Sequence, residues 1–251
     1  MKISVAIITL NEEKNIARCL KAAFKVSDDI VVLDSDSKDK TRIIANDMGA
    51  RVFVKKFKNF SDQKNNAINE TKNDWVLSID ADEVLSEDLI ESINRIECTA
   101  NNFVYAVNRL TNYCGTWIRH CGWYPDKKIR LWNKNVVKWE GSVHEQALIP
   151  TGCKTITLKG DLLHYSYATI EEHLKQADKY SRMNAEKMID NNKKTNLLNL
   201  IFAPPFKFFK IYVLKLGVFD GYYGYVISKI SSHATFLKHL RLLHMKRHKN
   251  F

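Results

Sequence analysis

The chain has 251 residues, enough for one large α/β domain with an appendage, and its 45% hydrophobic content with only nine Gly and four Pro excludes a disordered or fibrous class. Its net charge of +11 is unevenly placed. Residues 193–251 hold eleven Lys or Arg against one acid, Asp220, leaving 28 bases and 27 acids before them, so the basic character belongs to the carboxy-terminal segment alone.

The amino-terminal Met1-Lys2-Ile3-Ser4 runs straight into a strand pattern, without the apolar region and cleavage site of a signal peptide. Ile3 to Leu10 is a nearly continuous apolar run, as a parallel strand covered on both faces requires. Asn11 is placed to cap a helix whose apolar positions, Ile16, Leu20 and Ala23-Phe24, recur at helical spacing. Residues 29–34 form a second strand ending in an acid. The polar loop Ser35-Asp36-Ser37-Lys38-Asp39 leads into a helix from about Lys40, closed by Gly49. Residues 51–54 give a third strand, residues 61–71 a helix, and Trp75 to Ile79 a fourth strand. Four strand–helix alternations predict a doubly wound, mostly parallel sheet.

Ligands of such sheets lie beyond the carboxyl ends of the strands. Here those ends are Thr9-Leu10-Asn11-Glu12, Asp34-Ser35-Asp36 and Asp80-Ala81-Asp82-Glu83. Three acids within four residues repel one another, and a divalent cation sharing a phosphate ligand relieves the conflict. A solvated acidic turn before the helix opened by Ser86-Glu87-Asp88 is the plainer reading of the last stretch taken alone. Neither a GxGxxG nor a GxxxxGK[ST] motif is present, which weakens a dinucleotide or P-loop reading.

After a helix over 87–96 and a strand over 103–110, residues 113–145 are rich in Trp, Tyr, Arg and Gly and are expected to shape a cleft. Residues 169–191 are helical. Residues 197–206 are apolar with Pro204-Pro205, and 206–230 interleave aromatics with Lys207, Lys210, Lys215 and Lys229. No uncharged run approaches the ~18 residues that span a bilayer, so this amphipathic segment is expected to lie on an anionic membrane surface or pack against the catalytic domain or a second subunit. The five cysteines form no CxxC pair and fit reduced cytosolic thiols.

The motifs Thr9-Leu10-Asn11-Glu12, residues 32–41 (Val-Leu-Asp-Ser-Asp-Ser-Lys-Asp-Lys-Thr), Gln63-Lys64-Asn65-Asn66-Ala67 and residues 78–83 (Ser-Ile-Asp-Ala-Asp-Glu), in that order and spacing, resemble a family 2 glycosyltransferase of the GT-A fold. Gly122-Trp123-Tyr124-Pro125-Asp126, Arg130-Leu131-Trp132, Val143-His144-Glu145, His164-Tyr165-Ser166-Tyr167 and Gly217-Val218-Phe219-Asp220-Gly221 extend the likeness to the bacterial branch that glucosylates the lipopolysaccharide inner core.

The resemblance implies a GT-A (Rossmann-like) domain over 1–192, with a nucleotide half (1–100) and an acceptor half (101–168), and a basic amphipathic helical extension over 193–251. It implies inverting transfer of a hexose, glucose by family weight, from a UDP-sugar to a lipid-linked saccharide at the cytoplasmic face of the membrane, without nucleic acid. Thr9 and Glu12 would line the base pocket, Asp34 and Ser35 would contact base and ribose, and Lys64 would close over the nucleotide. Asp80 would touch ribose or metal. Asp82 would be the main ligand to Mg²⁺ or Mn²⁺, and His164 would complete the metal shell. Arg130 is a candidate for the diphosphate. Glu145 is the expected catalytic base and Asp126 its rival. In the second-strand loop Asp36 and Lys38 stand where the family commonly has Gly and Thr, and Asp36 is expected to keep the left-handed turn. Two competing readings are a nucleic-acid-binding protein using the basic tail and an inactive membrane scaffold on the same fold.

Overall fold

The computed structural model describes residues 1–97, 100–141, 146–193 and 195–248. The chain divides into two compact units, Met1–Leu110 with Asp126–Tyr165, and Thr111–Pro125 with Ser166–Phe251.

The first unit opens with β1 (Ile3–Thr9), α1 (Ile16–Ala23), β2 (Asp29–Asp34), α2 (Thr41–Asp47), β3 (Arg51–Val54), α3 (Phe60–Asn69) and β4 (Trp75–Asp80). These are the expected alternating elements, and every residue of β1 and β2 is buried. Asn11 does not cap α1. It takes a left-handed backbone, φ 55°, and uses its polar groups on the neighbouring loop, donating its N–H to Ser37 Oγ (2.8 Å) and accepting from the Lys38 N–H (2.8 Å). Local amide and hydroxyl partners won over helix capping. Asp36 sits at φ 70°, the turn its position demands.

Next come β5 (Glu83–Leu85), α4 (Glu87–Asn94), β6 (Phe103–Tyr113), β7 (Thr116–Ile118), β8 (Asp126–Asn133), β9 (Lys138–Glu140), β10 (Gln146–Leu148) and β11 (Lys154–Tyr167). Sheet order is β3-β2-β1-β4-β8-β6-β11-β5. The strands β3-β2-β1-β4 are parallel. Beyond them β8 runs antiparallel to β4 and β6, and β5 antiparallel to β11, so the sheet is mixed. β9 and β10 form a separate hairpin pair. Helices cover both faces: Ile16, Leu20, Leu89 and Ile93 pack on one, and Ala67 and Ile68 on the other beside Trp132 and Trp139.

In the second unit the end of β6 pairs with β7. α5 (Ile170–Asp190) starts at Thr169, whose hydroxyl accepts from the Glu172 N–H (3.2 Å) while Glu172 accepts from the Ala168 N–H (2.7 Å). α6 (Leu197–Phe209) continues through Pro204 and Pro205 into a π-helical turn (Lys210–Leu214). A 3-10 turn (Gly217–Asp220) then enters α7 (Gly221–His248). A Cβ on Gly224 would fall 1.8 Å from the Gly217 carbonyl oxygen, so that crossing needs glycine. Asp220, the single acid of the basic segment, is held by the N–H groups of Arg119 and His120 and by the His120 ring (3.0 Å). The core here is Tyr113, ringed by Trp123, Tyr167, His173 and Tyr223.

Candidate active site

The carboxyl ends of β1, β2 and β4 bound a cleft of about 390 Å³ whose lining includes Thr9, Glu12, Ser35, Asp80, Asp82 and His164. Six of the residues singled out in the sequence thus converge. Phe57 and Phe60, in edge-to-face contact at 5.1 Å, also line the cleft. Sequence reasoning missed them; two aromatics three residues apart in an otherwise polar stretch were the available signal.

Asp34 is not among the residues lining the cleft. It is fully buried, and its carboxylate accepts from the Ser37 N–H (2.7 Å) and hydroxyl (2.5 Å), shaping the loop that presents Ser35. Ser35 is fixed in turn by its N–H to the Thr9 carbonyl (2.9 Å). The Thr9 hydroxyl is buried with no hydrogen-bond partner among the described residues, a group left for a ligand to satisfy. Burial raises the pKa of Glu12; the Asn15 amide opposes this, and nearby Asp82 and Asp39 add to the rise.

At the end of β4, Asp80 faces two cations. Lys64 Nζ is 3.2 Å from one carboxylate oxygen and Arg130 Nη2 is 3.3 Å from the other. Burial alone would push the Asp80 carboxyl up, but Lys64 and Arg130 override it and hold the group well below the usual carboxylate range. Arg130 also pairs with the fully buried Glu83, which accepts the Asp80 N–H (3.0 Å). Lys64 sits over the Trp139 ring at 4.5 Å. Asp82 turns towards His164, with Nε2 to Oδ2 at 3.1 Å, and its carbonyl accepts from the Tyr165 N–H (2.9 Å). That last bond ties the acidic turn to β11.

The donors fit a divalent ion shared with a ligand. Among the described residues no three His, Cys, Asp or Glu side chains converge closely enough to enclose a cation. Asp82, Asp80 and His164 instead line one open cleft, and their carboxylate and imidazole donors are of the kinds that Mg²⁺ or Mn²⁺ accepts.

Asp80 also lines a second cleft of about 450 Å³. Lys64, Arg109, Lys127, Lys128 and Arg130 contribute five cations to its walls, with Trp139 beside them. Arg109 and Lys128 pair with Asp126 (2.7 and 3.0 Å), which places that residue within an ion-pair network. Lys64 and Arg130 therefore line the second cleft rather than the first. Gln146 and Ala147 line it too; His144 and Glu145 lie outside the described residues.

A family model for glycosyl transferase family 2 matches residues 4–148. The chain belongs to that family. This glycosyltransferase is 32% identical over 96% of its length to an uncharacterized glycosyltransferase of Rickettsia bellii, of which 86% is covered. It is 27% identical over 84% of its length to the lipopolysaccharide core biosynthesis glycosyltransferase LpsC of Rhizobium meliloti, of which 81% is covered. Among solved structures, glucosyl-3-phosphoglycerate synthase of Mycobacterium tuberculosis, in complexes holding UDP with Mn²⁺ or Mg²⁺, aligns at a TM-score of 0.36 and 24% identity over 44% of each chain. That overlap is too partial to inform the site.

Proposed function

We propose that this family 2 glycosyltransferase moves a hexose, glucose by family resemblance, with inversion from a UDP-sugar to a lipid-linked saccharide of the lipopolysaccharide core. The reading rests on one observation above all: Asp80, Asp82 and His164 gather at the carboxyl edge of the parallel strands, in one cleft with Thr9, Glu12 and Ser35. The likeness to LpsC, a lipopolysaccharide core biosynthesis glycosyltransferase, supports the acceptor class.

Thr9, Glu12 and Ser35, with the Phe57–Phe60 pair, bind the nucleoside. Asp82 and Asp80, with His164, would hold Mg²⁺ or Mn²⁺, which when bound would supply electrostatic stabilisation to a diphosphate leaving group. Lys64 and Arg130 keep Asp80 ionised and positioned. The acceptor occupies the second cleft, whose cations suit a saccharide carrying negative charge. Glu145, next in sequence to Gln146 of that cleft, takes the proton from the acceptor hydroxyl. The basic, aromatic carboxy-terminal segment meets the cytoplasmic membrane surface where such an acceptor resides.

The test is a panel of UDP-sugars assayed for hydrolysis and thermal shift with and without Mn²⁺. One sugar should stand out and need the metal. Asp82→Ala should lower turnover by about 10²–10³-fold. Glu145→Gln should lower it by about 10²–10⁴-fold with UDP binding intact. A larger loss in Asp126→Asn than in Glu145→Gln would transfer the base role to Asp126. If no UDP-sugar responds with metal present, the reading is wrong.

A further inference from the structure

The helical unit holds a groove of about 290 Å³ between α5, α6 and α7 that the transfer reaction does not use. Lys207 of α6 and Lys238 of α7 line it with Tyr180, Asn184, Ser231 and Thr235, and no carboxylate is among its lining residues. Among the described residues neither lysine is paired with an acid. Asp178, linked to the groove because Arg241 bonds both it and the groove's Ser181, is already engaged by Arg241 and Arg182.

The lysines are half-buried. Burial lowers the pKa of both, with Lys210 adding to the effect at Lys207, and Lys207 and Lys193 adding to it at Lys238. Gathering like charges in a partly desolvated groove is unfavourable unless an anion completes it. The surrounding chemistry says what kind of anion. α6 has no buried residue, and Leu197, Leu198, Ile201, Phe202 and Phe206 are each more than half exposed. Leu197–Leu214 is apolar enough, at mean hydropathy 1.4 over 18 residues, to meet the length and composition of a membrane span, yet it carries Lys207 and Lys210. A cationic groove beside an exposed apolar helix fits an anion attached to hydrocarbon.

We propose that the groove binds the phosphate of an anionic phospholipid headgroup, with Lys207 and Lys238 pairing with it and the hydroxyl of Ser231 donating to it, while the apolar side of α6 rests among the acyl chains. This rests on the membrane association proposed above and gives it a defined site.

The full chain is sedimented with phosphatidylcholine vesicles and with vesicles that also contain phosphatidylglycerol. Wild type should favour the anionic vesicles. Lys207→Gln/Lys238→Gln should weaken that binding by about 30-fold. Lys215→Gln/Lys229→Gln removes equal charge from exposed positions outside the groove and should cost only a few-fold. The groove variant should melt no lower than wild type, because its repulsion is relieved.

Equal losses in the two double variants would mean diffuse attraction and would overturn the site. So would a lower melting temperature in the groove variant, or inorganic phosphate that saturates the groove while anionic vesicles go unbound. A vesicle-free dimer abolished by Phe202→Ser would assign the apolar face to a second copy and likewise overturn it. If wild type ignores both kinds of vesicle, membrane association itself fails; if only the groove variant matches wild type, this inference alone fails.

Discussion

The two units treat charge and apolar surface in opposite ways. In the sheet unit, buried charges are answered from within. Asp29 takes Ser4 and Arg51, Asp34 takes Ser37, and Glu83 and Asp80 share Arg130. In the helical unit, Lys207 and Lys238 line a groove without a carboxylate, and no residue of α6 is fully buried. The first pattern fixes a site in place for chemistry. The second leaves charge and apolar surface unanswered by carboxylates or by close burial among the described residues.

The largest effect expected from breaking this contrast is in the sheet unit. Arg130→Met would strip the partner from Glu83, which is 0% exposed, and should cost about 3–5 kcal/mol by urea unfolding. A loss below about 1 kcal/mol would show that Arg109, 3.8 Å from Glu83, takes over the pairing.

Next comes His173, buried in the helical unit. Burial holds its pKa down to about 4, against an ordinary 6.5, while the Tyr113 hydroxyl sits 2.9 Å from Nδ1. Above pH 6.5 both folded and unfolded chains leave it neutral. Between 6.5 and about 4 only the unfolded chain takes up the proton, so stability falls with pH by about 3 kcal/mol and then levels off. Urea unfolding across that range should show a steeper slope in wild type than in His173→Gln, and equal slopes would refute the assignment.

The smallest effect sharpens the contrast from the other side. Phe202 is 62% exposed, and Phe202→Ser should change stability in water by no more than about 0.5 kcal/mol. A loss of several kcal/mol in the same unfolding measurement would mean the face is already covered within the chain.

Much of this was legible in the residues, for identifiable reasons. β1, β2 and β4 announced themselves because strands buried on both faces must be continuously apolar, and their polar ends had nowhere to converge except one edge. β8 escaped notice although it joins β4 to β6 within the sheet. Its first half, Asp126-Lys127-Lys128, faces ion pairs and the second cleft, so its composition records the site more than the strand. For the same reason the cations Arg109, Lys127 and Lys128 were not singled out: their meeting depends on the β6–β8 register, in which Arg109 lies opposite Asp126 and Val107 opposite Lys128. The adjacent prolines suggested an interruption, yet α6 passes through both because exposed helix tolerates a local mismatch when its neighbours still pair.

Those prolines carry one more consequence. Pro204 and Pro205 lack the amide hydrogens that would otherwise close on the carbonyls of Leu200 and Ile201. An unsatisfied carbonyl is expensive in hydrocarbon and cheap near water. In the membrane contact proposed above, the α6 backbone would therefore act as a depth gauge, favouring a shallow berth just below the headgroups over a passage to the far leaflet.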